Sequence, residues 1–355
     1  KLHDSSTTSK RITENAQVIG GMKNPRVALH KIPGHRHVGK MVGEALDDFL
    51  DATPAVQQAI LRAVGDTTKK NKGPDAADVA RARRAVERAM NVNITGQPYH
   101  DDGRRMTELY PGLYEAWARL SGDPDIYVPQ WLRGGTPTGL KVNPQDANIF
   151  PKVDQGTADA DRRPLIFGGE TFVNYTSFED SEQAPELLQE LVESGYIQEF
   201  PSMADAERAA GGRLVTSKLA LITTVKDGIL KHRLILDCRV SGTNDHATKV
   251  ERVILPSAWD VVHDALMMKG KQRPGDVFKL FVCDFRDAFF KLPLMDLERE
   301  FYVIKYGNKW YLCNRLVQGS VNGPSCFGRL SAMTARMGQS LFDTTELRLQ
   351  IYVDD

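Results

Sequence analysis

The sequence predicts an α+β fold, mainly helical and irregular in its first half, with antiparallel strands and intervening helices in the second. Apolar residues recur at helical spacing over 43–65 and 75–91. After Asp180, short extended runs are separated by the turn signals Lys226-Asp227-Gly228 and Gly307-Asn308. Hydrophobic residues make up 41% of the 355 and charged residues 26%, which fits a globular protein and argues against a disordered one.

That length is enough for two or three domains with their own cores. No run of about 18 apolar residues occurs, so no membrane span or membrane partner is expected; the cysteine usage is read as that of an intracellular protein. The chain starts at Lys1 and stops at Asp355 directly after a strand-like run, so we read it as a piece of a longer polypeptide. Cys238, Cys283, Cys313 and Cys326 form no CxxC pair and are expected to be reduced, buried thiols. The zero net charge hides an asymmetry: +6 over 1–100, −10 over 101–200 and +4 over 201–355. A polyanion would therefore have to use local basic surface.

Residues 1–95 read as a flexible lead-in followed by two helices. Pro74 suits the first turn of the second helix. On that helix Val79, Ala82, Val86 and Met90 share one face, and Arg81, Arg84 and Arg88 another. The Arg face is a solvated surface in the plain reading and a nucleic-acid contact in the sharper one. His30, His35 and His37 lack Cys or carboxylate partners nearby and are not read as a metal site. Residues 96–175 are dense in Pro, Gly and Asp and read as an irregular linker with apolar islands at 109–117 and 128–132.

Then comes a helix over 182–194, with Ser181 as N-cap and Gly195 as its stop. Residues 214–225 and 232–238 form a hairpin around the Lys-Asp-Gly turn. The run 277–283 is almost continuously apolar, as in a strand buried on both faces. Residues 301–306 and 309–313 form a second hairpin. Pro324 opens a helix whose core stripe is Phe327, Leu330, Thr334, Met337 and Leu341. In the final run Leu347, Leu349, Ile351 and Val353 share one face, and Arg348, Gln350, Tyr352 and Asp354 the other.

Asp354 and Asp355 are adjacent carboxylates at a strand end, which repel unless a cation lies between them. A second strand end delivers Asp284. Three carboxylates from two strand ends could hold paired Mg²⁺ ions about 4 Å apart, the arrangement that in-line phosphoryl transfer requires.

Four segments, in order and at similar spacing, resemble retroelement (LTR-like) reverse transcriptases. IYVDD (351–355) resembles the family's YxDD box, and VCDFRDAFFKLPL (282–294) its first catalytic box. LVQGSVNGPSCF (316–327) is similar to the LPQG…SPxxF box, and VKDGILKHRLILDCR (225–239) to the fingers hairpin. The helix ending in ELVESGYIQEF is similar to the one that opens the fingers in long-terminal-repeat elements. The match covers about 180–355. It implies a right-hand polymerase with fingers at 176–275 and a palm with an antiparallel sheet at 276–355, cut after the Asp-Asp pair.

The resemblance implies an RNA-directed DNA polymerase that uses Mg²⁺ (two ions) or Mn²⁺, an RNA or DNA template with a primer, and dNTPs. Asp284, Asp354 and Asp355 match its metal ligands, with the Phe285 carbonyl as a further ligand. Phe289 matches the ring that lies under the incoming sugar and excludes a 2′-hydroxyl. Gln318 matches a residue touching nucleotide and template, and Gly319 lets the backbone approach the base pair. Lys226 and Arg233 match residues that hold the triphosphate. Tyr352 matches one that packs against the primer end. Asp237 and Arg239 are read as structural. Val317 replaces the Pro of the Gln-Gly box and Gly323 its Ser, leaving Asn322 as the candidate cap of the next helix. Asn244 is not securely equated with the family's Asn. Two other readings stay open: an RNA-dependent RNA polymerase, against which Phe289 and Gln318-Gly319 argue, and a degenerate fragment that only binds nucleic acid.

Overall fold

The computed structural model describes residues 33–65, 73–94, 106–153, 162–169, 172–226, 228–282 and 285–351. It is a mixed α and β structure with small antiparallel sheets.

The expected helix over 43–65 is two helices, α1 (Pro33–Asp51) and α2 (Pro54–Gly65). Pro54 disfavours helical backbone at Thr53 and so ends the first one. Helix α3 (Ala76–Met90) is capped by Asp75, whose carboxylate accepts the Asp78 N–H at 2.8 Å. Pro74 therefore precedes the cap instead of lying in the first turn. Val86 and Met90 pack into the core as the periodicity requires, while Val79 is exposed, as are Arg81, Arg84 and Arg88.

Residues 96–175 are not irregular throughout. The two apolar islands are helices, α4 (Pro111–Ser121) and α5 (Tyr127–Gly134). Here Pro and Gly mark helix ends: Pro111 sits in the first turn of α4, and Gly122 closes it at φ +69°.

Helix α6 (Ala184–Glu193) is shorter than expected. The Ser181 hydroxyl accepts the Gln183 N–H at 3.3 Å, so it shapes the entering turn and caps nothing. Strand β1 (Ile197–Phe200) follows, then α7 (Met203–Ala210), capped by Ser202. Strands β2 (Lys218–Lys226) and β3 (Ile229–Asp237) form the long hairpin foreseen around Gly228. Helix α8 (Ala258–Lys269) opens with a Ser257/Asp260 capping box. Strands β4 (Val303–Tyr306) and β5 (Lys309–Cys313) form the second hairpin, with β1 on the far edge of β5.

Helix α9 (Gly323–Ser340) runs through the main core. Cys326, Phe327, Leu330, Met333 and Met337 meet Val38 and Val42 of α1, Tyr114 and Trp117 of α4, and Trp131 and Leu132 of α5. Two charged clamps fasten the same helices. Arg336 bonds both oxygens of Asp123, at 2.7 and 2.8 Å. Arg329 does the same to Asp125, at 2.8 and 2.6 Å. His35 completes the first clamp. The Trp117 indole can only donate and bonds His35 Nδ1 at 3.1 Å, so Nε2 carries the proton toward Asp123 at 2.8 Å. Burial pushes the Asp123 carboxyl up, but the bonds from His35 and Arg336 and the guanidinium charge outweigh it and hold it well below the usual range.

Cys238, Cys313 and Cys326 are free and buried, as expected, and Cys283 lies outside the described residues. Among the described residues, no helix is long and apolar enough to cross a membrane.

Candidate active site

Asp284, Tyr352, Asp354 and Asp355 lie outside the described residues. Among the described residues, no three His, Cys, Asp or Glu side chains gather as a metal site would.

The run leading to Asp284 departs from expectation. Residues 277–282 form no strand, and Val277, Leu280, Phe281 and Val282 are exposed, Val282 to 95%. An apolar run becomes a buried strand only where another strand offers a ladder, and within the described residues none pairs with it. Just after Asp284 two rings pack inward while Arg286 and Asp287 are exposed. Phe285 meets Phe327 edge-on, with ring centroids 5.5 Å apart. Phe289 lies 5.6 Å from the same ring and is 7% exposed. A Cβ at position 323 would come within 3.1 Å of the Phe289 ring, so the Gly that departs from the family pattern makes room for it.

The Gln-Gly box is stitched to the β2–β3 hairpin. Leu236 N–H donates to the Gln318 carbonyl at 3.3 Å. Gly319 has φ +115°, and an added Cβ would collide with the Leu236 carbonyl oxygen. The immediate need for Gly here is thus β3 backbone. Asn244, which the sequence reading did not secure, spans the box: its Nδ2 donates to the Gly319 carbonyl at 2.8 Å, and its Oδ1 accepts the Val321 N–H at 2.9 Å. Gly319→Ala should cost about 3 kcal/mol, from backbone strain plus collision. An unchanged denaturation midpoint would contradict this junction.

Asn322 does not cap α9. Its Nδ2 donates to the carbonyls of Thr138, at 2.7 Å, and Thr248, at 2.8 Å, tying two loops to the helix start.

Arg233 pairs with Ile222 and is exposed on the hairpin. Lys226 pairs with Ile229 at the tip. Two and four residues beyond Arg233, Ile235 and Asp237 line a cleft of about 460 Å³ with Tyr175, Arg239, Asn244 and Gly319. Asp237 has the structural role expected of it. It accepts the Tyr175 hydroxyl at 2.6 Å and the amides of Arg239 at 3.1 Å and Val240 at 3.0 Å. Burial pushes its carboxyl up, but these bonds prevail and hold it below its ordinary value.

The last described stretch, 347–351, is not a strand, and all five residues are half-buried. Arg348 and Gln350 both reach Asp264 of α8, Arg348 at 2.9 Å. Gln339 of α9 holds the backbone, donating to the Leu347 carbonyl at 2.8 Å and accepting the Leu349 N–H at 2.9 Å.

No protein family matches the chain, and no characterised protein matches it.

Proposed function

We propose that the chain comprises the fingers and palm of a retroelement reverse transcriptase. The reaction is attack of a primer 3′-hydroxyl on the α-phosphate of a deoxynucleoside triphosphate, releasing pyrophosphate. One observation carries the reading: three of the four motif segments converge. The Gln-Gly box is bonded to the hairpin bearing Arg233, and its Phe327 receives both Phe285 and Phe289 of the segment that follows Asp284.

Chain reach is compatible with the fourth. Phe327 and Gln339 are separated by about 18 Å along α9 at 1.5 Å per residue. Leu349 is bonded to Gln339, and an extended chain covers about 17 Å in the five residues from Leu349 to Asp354.

Asp284, Asp354 and Asp355, with the Phe285 carbonyl, are hard oxygen donors of the kind that suits Mg²⁺ or Mn²⁺. Bound ions would lower the pKa of the primer hydroxyl and neutralise charge on the transferred phosphate. Arg233 and Lys226 would grip the triphosphate, the first as a planar fork and the second as a point charge. Phe289 would exclude a 2′-hydroxyl.

Phe289→Ala should raise ribonucleotide incorporation relative to deoxynucleotide by about tenfold or more. Because the ring is also core, the same change costs about 3–5 kcal/mol. The ratio of the two incorporations is therefore the quantity to read, since lost stability lowers both alike. An unchanged ratio removes the sugar gate; a wild-type preference for ribonucleotides over deoxynucleotides favours an RNA polymerase.

A second reading, a non-catalytic fragment that binds nucleic acid, is favoured by the exposure of 277–282 ahead of Asp284. Calorimetric Mg²⁺ titration with and without primer–template separates the two. A polymerase takes up the ions more tightly with primer–template present; the fragment takes up none.

A further inference from the structure

The residues just after Asp284 are fastened by a group of side chains that the reaction above does not use. Asp287 sits at φ +54°, a left-handed conformation that L residues other than Asn and Asp rarely adopt. Its Oδ2 accepts a hydrogen bond from the Tyr196 hydroxyl at 3.1 Å. Arg286 Nε lies 3.4 Å from the same oxygen, on a side chain 93% exposed. Tyr196 comes from another part of the fold, one residue before β1, and is 8% exposed. Its ring stacks on Phe290 at 4.5 Å with an interplanar angle of 19°. The Arg315 guanidinium lies 5.7 Å from that ring and 3.3 Å from Glu108. The Thr107 hydroxyl donates to the Lys291 carbonyl at 2.7 Å. Positions 287, 290 and 291 are thus held by groups from two distant stretches of chain, Tyr196 and Thr107.

We propose that Tyr196 is a positioning residue. Its ring seats Phe290 and its hydroxyl keeps Asp287 in the left-handed turn, so that residues 285–291, directly after Asp284, are held in one arrangement. The effect on reaction rests on the reading of Asp284 as a metal ligand; the turn itself does not. A residue that merely filled space would need the ring alone. Here the hydroxyl carries the function, because it bonds Asp287, whose backbone lies in a sparsely populated region. Glycine enters that region freely, so a glycine at 287 should make the hydroxyl dispensable.

The test uses the full chain and four proteins: wild type, Tyr196→Phe, Asp287→Gly and the double variant. Amide hydrogen exchange over 285–291 should quicken about tenfold in Tyr196→Phe, the loss of one hydrogen bond to a charged acceptor, with global melting nearly unchanged. In the Asp287→Gly background, Tyr196→Phe should add nothing. Unchanged exchange in Tyr196→Phe, or equal quickening in both backgrounds, overturns the proposal. In Mg²⁺-dependent primer extension, Tyr196→Phe should lower kcat about tenfold with KM for the deoxynucleotide nearly constant. Quickened exchange with unaltered kcat rejects the positioning role. Absence of Mg²⁺ uptake and extension in a polymerase that contains the wild-type chain defeats the polymerase reading, while the exchange data still decide whether Tyr196 holds the turn.

Discussion

Asp123→Ala should destabilise the chain by about 3–5 kcal/mol, the cost of stranding a buried charge whose partner is removed. Asp123 and Arg336 are both fully buried and share two hydrogen bonds, and the same carboxylate receives the His35 proton. Removing it leaves a guanidinium in a hydrocarbon core with no counter-ion, and His35 Nε2 without its acceptor. The Tm should fall by about 5 °C. Asp75→Ala, which removes an exposed N-cap, is the control and should cost about 1 kcal/mol. A Tm for Asp123→Ala within 2 °C of wild type would mean that α4 and α9 do not depend on this clamp.

Asp284→Asn should abolish Mg²⁺-dependent primer extension, by about a thousandfold or more, in a polymerase that contains this chain. The change is nearly isosteric, so folding should survive, and far-UV circular dichroism should match wild type. Asparagine retains one carbonyl oxygen but loses the negative charge that offsets a divalent ion. Extension at the wild-type rate would remove Asp284 from the chemistry, and with it the reading of the segment it opens.

Elements with a local signature were legible in the sequence. The β4–β5 hairpin follows from Gly307-Asn308 between extended runs, and α9 follows from Pro324 and its apolar stripe. Helix α3 could be placed by periodicity to within a residue or two at each end. Elements α4 and α5 were missed because Pro and Gly were weighed as breakers, when here they mark helix ends. The Asp123–Arg336 clamp joins residues 213 positions apart and leaves no local trace. Asn244 was left unassigned and Tyr196 was missed for the same reason: each acts on chain 75 or more positions away. The run 277–282 was misread because an apolar stretch records a capacity to be buried, not the presence of a partner to bury it. Gly319 was expected to let the backbone approach a base pair; in the structure its missing Cβ admits the Leu236 carbonyl.

The most direct test of the central claim is a Mn²⁺ titration followed by electron paramagnetic resonance, with primer–template and a non-hydrolysable deoxynucleotide present. Wild type, Asp284→Asn and the Asp354→Asn/Asp355→Asn double variant are compared. If the three carboxylates hold one divalent-metal centre, wild type binds two ions showing spin coupling, and both variants lose that signal. Identical binding curves and spectra for all three proteins would contradict it.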